Sequence, residues 1–317
     1  MRAVELQICG EPPAVVDRPD PVPGPGEVLV EVSAAPIVPL DLLCASGRFY
    51  FGVPATPYVP GVQGVGTVDG RPVWFPASAG MAPGDGSMAE LAAVAEADLV
   101  PIPDGVSPPE LAALGLSAVA AHMALTWRGE LASGETVLVL GAGGVVGQAA
   151  VQLARLYGAA RVVAAARSSA GQQRARAAGA DAVVALDSDD VVELAARLGD
   201  AAEGPVDLVV DPLFGVPAAA ALKCLRPGGR LVNLGGSASE QCPIESSTIR
   251  GRSLRLLGYT NNELTREQRA AALTDVAQHA VAGRLTVAHE VVPLQDAAEA
   301  WVRQATGQVA GRLVLVP

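Results

Sequence analysis

A glycine-rich segment in the middle of the chain has the residue types and spacing that could bind a phosphate group. It reads Gly141-Ala142-Gly143-Gly144-Val145-Val146-Gly147 and follows an apolar run at residues 137–140. Glycines permit a tight turn and let backbone N–H groups approach a pyrophosphate, whose negative charge favours the positive end of the following helix. Because Val146 occupies the third glycine position of G-x-G-x-x-G, the register Ala142-x-Gly144-x-x-Gly147 fits instead. The loop is therefore predicted to bind a dinucleotide, and a glycine-rich turn without a ligand is the simpler alternative.

The end of the next apolar segment bears on which dinucleotide would bind. It reads Ala166-Arg167-Ser168, where an NAD site usually has Asp or Glu to accept hydrogen bonds from the ribose. A small residue followed by arginine instead leaves room and positive charge for a 2′-phosphate. We therefore expect NADPH as the cofactor, with Arg167 and Ser168 in its site. The missing acid also argues against a methyltransferase-type loop, and a solvated surface role is the alternative for Arg167.

Alternating strands and helices are needed to position these residues. From residue 137 onward, short apolar runs alternate with segments of helical periodicity. The predicted strands are residues 137–140, 161–166, 182–185, 206–211, 230–234 and 254–258, and the predicted helices are residues 146–157, 169–178, 190–198, 217–225 and 266–282. This alternation predicts parallel βαβ units in a doubly wound sheet that is covered on both faces.

The two ends of the chain have a different pattern. Residues 1–115 are predicted to form a small β-rich domain of short strands between Gly- and Pro-rich turns, among them residues 27–32, 65–68 and 73–75. Residues 297–304 are predicted to be helical, and residues 312–316 form a terminal strand that could return to the first domain.

Composition and charge exclude several classes of protein. The 317 residues suggest two domains, and half of them are apolar, enough for a large core. The 22 basic and 33 acidic residues give a net charge of −11 without the basic cluster that nucleic acid or an anionic membrane needs. Residues 136–154 are uncharged, but their glycines and β-branched start favour a strand, a turn and a helix over a membrane span. The N-terminus lacks a signal-peptide pattern, and four scattered cysteines fit a reducing cytoplasm.

Many short segments, in one order along nearly the whole chain, resemble the medium-chain dehydrogenase/reductase superfamily and its zinc-independent quinone oxidoreductase and enoyl reductase branch. The segments are Pro25-Gly26-Glu27-Val28-Leu29-Val30, Pro39-Leu40-Asp41, Tyr58-Val59-Pro60-Gly61, Pro101-Ile102-Pro103-Asp104-Gly105, Gly134-Glu135-Thr136-Val137-Leu138-Val139, Leu225-Arg226-Pro227-Gly228-Gly229-Arg230 and Gly311-Arg312-Leu313-Val314. The resemblance implies an α/β protein with a GroES-like domain at residues 1–117, completed by 262–317, and a Rossmann domain at residues 118–261. It also implies a homodimer joined through the edge strand near residues 254–258.

The chain departs from the zinc-dependent members of this superfamily. Those enzymes have a cysteine shortly after an early strand and a Gly-His-Glu motif, but the corresponding segments here read Val38-Pro39-Leu40-Asp41 and Gly61-Val62-Gln63. The four-cysteine structural zinc lobe is missing as well. A catalytic zinc needs about three protein ligands, so no metal is expected.

Without zinc, alcohol oxidation loses its usual Lewis acid, whereas hydride transfer to an activated alkene or a quinone needs less help. The protein must then orient the acceptor, stabilise enolate-like charge and provide a proton, which a tyrosine hydroxyl can do. The resemblance implies a tyrosine two residues after a glycine in the loop Gly47-Arg48-Phe49-Tyr50, but Phe49 holds that position. Tyr50 is therefore the first candidate proton donor, followed by Tyr58 and Tyr259.

Further residues are expected around the substrate and the nicotinamide. The candidate substrate-pocket residues are Phe49, Tyr50, Phe51, Tyr58, Gln63, His122 and Tyr259. The resemblance implies backbone contacts to the nicotinamide amide from Leu234, Gly235, Gly236 and Ser237, and Asn233 is a further candidate. Aromatic packing and turn formation are the structural alternatives for these residues.

The leading hypothesis is an NADPH-dependent, zinc-independent oxidoreductase that acts on a small-molecule enone, enoyl or quinone acceptor. One alternative is an NADP-binding protein with little or no turnover. Another is a specialised biosynthetic reductase of an imine or another electrophile. The sequence does not choose among the acceptors, because pocket-lining loops are the variable part of such folds.

Overall fold

The structure is a computed structural model that describes residues 1–49 and 52–317. The chain divides into two compact units. The first unit contains Met1–Gly115, Leu273–Gly283 and Val287–Pro317, and the second contains Leu116–Ala272 and Arg284–Thr286. Tyr50 and Phe51, two of the predicted pocket residues, lie outside the described residues.

The secondary-structure elements are numbered in chain order. The strands are β1 (Arg2–Glu5), β2 (Ala14–Asp17), β3 (Glu27–Pro36), β4 (Gln63–Val68), β5 (Arg71–Pro76), β6 (Leu91–Ala95), β7 (Val100–Pro101), β8 (Thr136–Leu140), β9 (Arg161–Ala166), β10 (Ala182–Ala185), β11 (Val206–Asp211), β12 (Leu225–Asn233), β13 (Arg255–Gly258), β14 (His289–Pro293) and β15 (Arg312–Val316). The α-helices are α1 (Pro39–Ala45), α2 (Pro108–Met123), α3 (Val145–Leu156), α4 (Ser169–Ala177), α5 (Val191–Ala202), α6 (Gly215–Cys224), α7 (Ser246–Gly251), α8 (Arg266–Val281) and α9 (Ala297–Ala305). Short 3₁₀ turns occupy Glu96–Asp98, Asn261–Glu263 and Leu294–Asp296, and a π-helical turn occupies Ala124–Arg128.

The second unit contains a parallel sheet with the strand order β10-β9-β8-β11-β12-β13. Apolar side chains of the strands, such as Leu138, Val163 and Val209, pack with Leu194 and Leu222 of the helices into one buried core. Since the chain leaves β8 on one side to form β9 and later returns on its other side as β11, the order reverses next to β8. Open α/β sheets bind ligands at such a reversal, beyond the carboxyl ends of the strands.

The first unit is built on a mixed seven-stranded sheet. Its path is β14-β15-β3-β4-β5-β7, and β6 also pairs with β3. The last strand of the chain, β15, lies antiparallel to β3. Leu6, Ile37, Phe75, Met88 and Trp301 belong to its buried core. The two units together confirm the predicted α/β class with a GroES-like β-rich domain and a Rossmann domain.

Two helices that begin within residues 1–115 differ from the prediction of short strands for that range. The first is α1, where the Asp41 side chain accepts the Val38 N–H at 2.8 Å and thereby caps the helix start. The second is α2, which is apolar nearly all round and lacks the stripe by which an amphipathic helix is found. In the second unit, β12 begins at Leu225, five residues before the predicted strand at residues 230–234, and its pairing with β11 shifts register between Val206 and Leu208.

Two further features bear on partners. The edge strand β13 pairs only with β12 among the described residues, and the predicted dimer through this edge stays a prediction.

The stretch Pro108–Arg128 is long and apolar enough to cross a membrane by length and composition, but 67% of the apolar window that meets this test is buried. Buried core helices pass the same test, so this is weak evidence for a span. Residues 136–154 form β8, the glycine loop and the start of α3.

The helix α2 is interrupted at Gly115, where the backbone has φ 27° and ψ −131°. The interruption packs directly against the buried amide of Gln63. That amide accepts a hydrogen bond from Trp74 Nε1 at 3.1 Å and donates to the carbonyl of Ala112 at 3.3 Å. A Cβ at position 115 would lie 2.1 Å from Gln63 Oε1. Gln63, predicted to line the substrate pocket, is fully buried and fixes this break.

We predict that Gly115→Ala destabilises the protein by more than the cost of its left-handed backbone alone. The matched control is Gly105→Ala, where φ is +90° and nothing lies within 4 Å of the added methyl group. The control should cost about 1–2 kcal/mol of unfolding free energy. Gly115→Ala should cost about 1–3 kcal/mol more, because the Gln63 amide must give up buried hydrogen bonds. Urea denaturation of both variants measures the difference, and equal losses would contradict the prediction.

Candidate cofactor site

The glycine loop joins β8 to α3 and takes its shape from one left-handed residue. Gly141 has φ +63°, so the chain turns sharply before Ala142. The Ala142 N–H donates to the Ala165 carbonyl of the neighbouring strand at 2.9 Å, and Gly144 is the N-cap of α3. The register Ala142-x-Gly144-x-x-Gly147 works because Gly141 supplies the unusual backbone conformation and Ala142 does not need it.

The loop presents free backbone donors at the start of α3. Among the residues that the structure describes, the amides of Gly143, Val145 and Val146 have no hydrogen-bond acceptor, whereas the Gly144 amide donates to the Gly141 carbonyl at 3.0 Å. The first N–H groups of a helix lack intrahelical partners and carry partial positive charge. These free donors fit the pyrophosphate of a dinucleotide.

The three glycines at positions 143, 144 and 147 serve different purposes. A Cβ on Gly147 would lie 2.5 Å from the Ala142 Cα, and a Cβ on Gly143 would lie 2.5 Å from the Gly171 Cα. Both positions therefore need glycine for close packing inside the unit. A Cβ on Gly144 would meet only the Gly141 carbonyl oxygen, at 3.4 Å, and would otherwise point into open space. Gly144 is thus the position where a ligand could approach the backbone.

The end of β9 lies beside the glycine loop. Ser168 is the N-cap of α4, and its hydroxyl accepts the Gly171 N–H at 3.1 Å. Ala166 is buried, whereas Arg167 is exposed and pairs with no acidic side chain among the described residues. This end of the strand therefore has a small side chain, a hydroxyl and a free positive charge where an NAD site has an acid.

The loop after β11 forms a further wall of this region. A Cβ on Gly141 would lie 3.0 Å from the Leu213 side chain and 3.2 Å from that of Pro212. The fully buried Asp211 side chain accepts the N–H groups of Leu213 and Phe214, both at 2.9 Å. Burial raises the pKa of Asp211, against the lowering effect of these N–H groups. Sequence reasoning missed Asp211, since a strand-ending aspartate has no distinctive spacing.

The predicted nicotinamide-contact segment is tied to the same loop. The Leu234 N–H donates to the Asp211 carbonyl at 2.7 Å, and the Ser237 hydroxyl donates to the Pro212 carbonyl at 3.0 Å. The Asn233 amide donates to both the Asp211 carboxylate, at 3.0 Å, and the Gly235 carbonyl, at 3.0 Å. Leu234, Gly235, Gly236 and Ser237 therefore extend from the strand end that neighbours β11, and their contacts to a nicotinamide stay a prediction.

The predicted pocket residues of the first unit are largely buried. Phe49 is 6% exposed and Tyr58 is 5% exposed. Tyr58 and Cys44 both lie next to Gly80. A Cβ added to Gly80 would be 2.9 Å from the Tyr58 hydroxyl and would also contact the Cys44 side chain. Burial raises the pKa of Tyr58. The first candidate proton donor, Tyr50, lies outside the described residues, as does Phe51.

The two pocket residues predicted in the second unit already have polar partners. His122 Nδ1 lies 2.7 Å from the Tyr157 hydroxyl, and the Tyr259 hydroxyl donates to Asn261 Oδ1 at 2.6 Å. Burial also raises the pKa of Tyr259. The pocket roles of His122 and Tyr259 stay predictions.

The two segments that correspond to zinc-ligand segments, residues 38–41 and 61–63, are joined by the buried carboxylate of Asp41. Asp41 accepts the N–H groups of Val38 at 2.8 Å and Val62 at 2.9 Å. Burial raises the pKa of Asp41 to about 6, although these amides and the positive charge of Arg312 act to lower it. Within residues 1–49 and 52–317, no three His, Cys, Asp or Glu side chains are grouped as metal ligands would be.

Comparison with known proteins identifies the family. The family model described as zinc-binding dehydrogenase matches residues 145–278, a range that does not include the segments at residues 38–63. A mouse quinone oxidoreductase is 30% identical over 84% of this chain and 82% of its own length. The solved quinone oxidoreductase of Thermus thermophilus, described also in complex with NADPH, is 32% identical over the whole of both chains, with a TM-score of 0.80. A polyketide synthase subunit of Mycobacterium tuberculosis is 32% identical over 69% of this chain and 10% of its own length.

The chain belongs to the medium-chain dehydrogenase/reductase superfamily. It is a quinone oxidoreductase-like oxidoreductase. In this family setting, the free amides of the glycine loop and the strand ends around β8 and β11 form the candidate dinucleotide site.

We predict that Gly144→Ala weakens cofactor binding without destabilising the fold, and that Gly147→Ala destabilises the fold. Gly144→Ala should leave the unfolding free energy within about 0.5 kcal/mol of the parent, since its methyl group meets open space. It should weaken cofactor binding by about tenfold or more, because the methyl group blocks approach to the backbone. Gly147→Ala should instead destabilise the fold by about 1–3 kcal/mol through overpacking against Ala142.

Isothermal titration with NADPH and chemical denaturation of the same two samples measure this separation. Unchanged cofactor affinity in a stable Gly144→Ala protein would show that the ligand does not approach this loop.

Proposed function

We propose that the chain is an NADPH-dependent, zinc-independent reductase of a small conjugated carbonyl compound or quinone. The observation that best supports this proposal is the group of free amides at the start of α3. These amides lie beside the end of β9, where Arg167 takes the place of an acidic residue. When bound, the reduced nicotinamide supplies a hydride to the acceptor. The protein's own residues bind and orient both molecules and provide the proton.

The choice of NADPH rests on the end of β9. Ala166 leaves room beside the ribose, the Ser168 hydroxyl lies at the start of α4, and the exposed Arg167 has no acidic partner among the described residues. A phosphate monoester is favoured by a free guanidinium group and a hydroxyl, whereas an unmodified ribose is favoured by a carboxylate. The NADPH complex of the Thermus relative supports the same choice.

The choice of acceptor rests on the relatives and on the residues at the segments that resemble zinc sites. Val38 and Val62 are buried apolar residues, and the amide of Gln63 is engaged by Trp74 and Ala112. These side chains offer no ligand set for a Lewis-acidic metal. Quinone oxidoreductases among the relatives support a quinone acceptor, and the polyketide synthase relative supports an enoyl thioester as the second candidate.

The four cysteines are free, which is consistent with the proposal that the protein works in the cytoplasm. The sheet edge at β13 supports the proposal of a homodimer, because an edge strand has unpaired N–H and C=O groups.

We predict that Arg167→Ala weakens NADPH binding by about ten- to a hundredfold, or about 1.5–3 kcal/mol, and changes NADH binding little. The reason is the loss of a charge-assisted contact to the 2′-phosphate alone. Arg176→Ala, which removes another exposed arginine, in the last turn of α4, is the matched control and should change neither affinity. Isothermal titration of the parent and the two variants with each cofactor measures all six dissociation constants. Equal affinities of the parent protein for NADPH and NADH would contradict the proposal.

We predict turnover of at least one quinone or conjugated carbonyl when a panel of quinones, enones, enoyl thioesters and cyclic imines is tested with NADPH. The absorbance of the reduced nicotinamide follows the reaction. Saturable NADPH binding without turnover across the panel would favour an NADP-binding protein, and turnover of imines alone would favour the specialised reductase.

Elemental analysis of the same preparation is the control for zinc. It should find less than one zinc per chain, and a chelator should leave the activity intact. One tightly held zinc, lost together with activity, would refute the zinc-independent reaction.

A further inference from the structure

The glycine loop is held from the side of α4 by an arginine that the sequence analysis did not single out. Arg174 Nε donates to the Gly143 carbonyl at 2.9 Å, and Gln148 Nε2 donates to the same oxygen at 3.2 Å. On the other side of this peptide unit, the Gly144 N–H donates to the Gly141 carbonyl at 3.0 Å. The peptide plane between Gly143 and Gly144 is therefore fixed at both of its polar atoms. This unit lies between the two peptide units that carry the free amides of Gly143 and Val145, so its fixed orientation restricts where those amides can point.

Gly143, the residue whose carbonyl Arg174 binds, lies close to the end of β9. The ideal Cβ position of Gly171 is 3.1 Å from Ser168 Oγ, 3.4 Å from the Gly143 Cα and 3.5 Å from the Ala166 Cβ. The glycine loop, the strand end and the first turn of α4 thus meet around one point. Arg174 is connected to this meeting point through the Gly143 carbonyl, which its Nε binds. Because Gly171 has no side chain, the glycine loop at Gly143 can lie close to Ala166 at the strand end.

The terminal nitrogens of Arg174 are available. Arg174 is half-buried, and only its Nε has a hydrogen-bond partner among the described residues. Many other arginines of the second unit use their terminal nitrogens on carboxylates, as Arg155 does with Asp181 and Arg197 does with Asp187. A guanidinium group held by its Nε keeps four N–H bonds in a fixed plane, which suits a phosphate.

We propose that Arg174 is a positioning and specificity residue of the cofactor site. Its Nε orients the glycine loop for the pyrophosphate of either cofactor, and its terminal nitrogens bind the 2′-phosphate of NADPH together with Arg167. This inference rests on the proposed function, because it assigns Arg174 to the dinucleotide site. It adds a second cation, on α4, to the one that follows β9.

Two substitutions at position 174 separate the two roles. Arg174→Gln places an amide nitrogen the same number of bonds from the Cα as the arginine Nε, so it can keep the bond to Gly143 without the positive charge. Arg174→Met removes both the bond and the charge. Arg176→Met is the matched control, since Arg176 is an exposed arginine of the same helix. Circular dichroism verifies that each variant is folded, and isothermal titration with NADPH and with NADH gives the dissociation constants.

Arg174→Met should weaken NADPH binding by about a hundredfold and NADH binding by about tenfold. Arg174→Gln should weaken NADPH binding by about tenfold or more and leave NADH binding within about threefold of the parent. Arg176→Met should leave both constants within about threefold.

If the parent binds NADPH, three outcomes would overturn the assignment of Arg174 and leave the proposed function in place. They are an Arg174→Met protein that binds NADPH within threefold of the parent, an Arg176→Met protein with an equal loss, and an Arg174→Gln protein that loses NADH as much as NADPH. An Arg174→Met protein that does not fold leaves the Gln variant as the decisive one. A parent protein that binds neither cofactor would overturn the proposed function, and the assignment with it.

Discussion

The close approach of glycine backbones at the start of α3 is the constraint on which the candidate site depends. Gly147 lets α3 lie against Ala142, and Gly143 lets the loop touch Gly171 at the start of α4. A methyl group at either position would push a helix away from the sheet. Because the two contacts fix the loop from inside, its outer side at Gly144 is left open for a ligand. Packing of the core and exposure of the backbone donors are therefore consequences of the same glycines.

The loops at the neighbouring strand ends are fixed by a different means, a buried carboxylate. Asp211 accepts two N–H groups of its own loop and an amide hydrogen of Asn233, which in turn donates to Gly235. Burying a carboxylate is costly unless its lone pairs are used, and here they join the ends of β11 and β12. Phe214, which follows in a backbone conformation with φ 58° and ψ −158°, is held by one of these bonds. The region beyond β8 and β11 is thus rigid on the side of β11 as well.

The sequence was sufficient for the parallel sheet because each buried strand is a short apolar run between turns. The predicted bounds of β9, β10, β11 and β15 agree with the structure to the residue. It was insufficient for α1 and α2, since a short helix that starts at a proline and a helix that is apolar on every side have no distinctive period. Within the site, the loop and Arg167 follow from local spacing. Asp211, Gly171 and Arg174 do not, because their importance comes from contacts with residues far away in the chain.

The way in which this chain uses its buried charges bears on its chemistry. Asp41 and Asp211 accept backbone N–H groups, and Arg230 donates to the carbonyls of Gly129 and Glu130 and to Glu135. Each of these groups fixes a loop or a strand end. Such a protein is suited to a reaction in which the bound cofactor supplies the reactive group and the chain supplies position and a single proton. Reduction by a nicotinamide is a reaction of this kind, and it asks of the protein mainly the rigid loops that these contacts create.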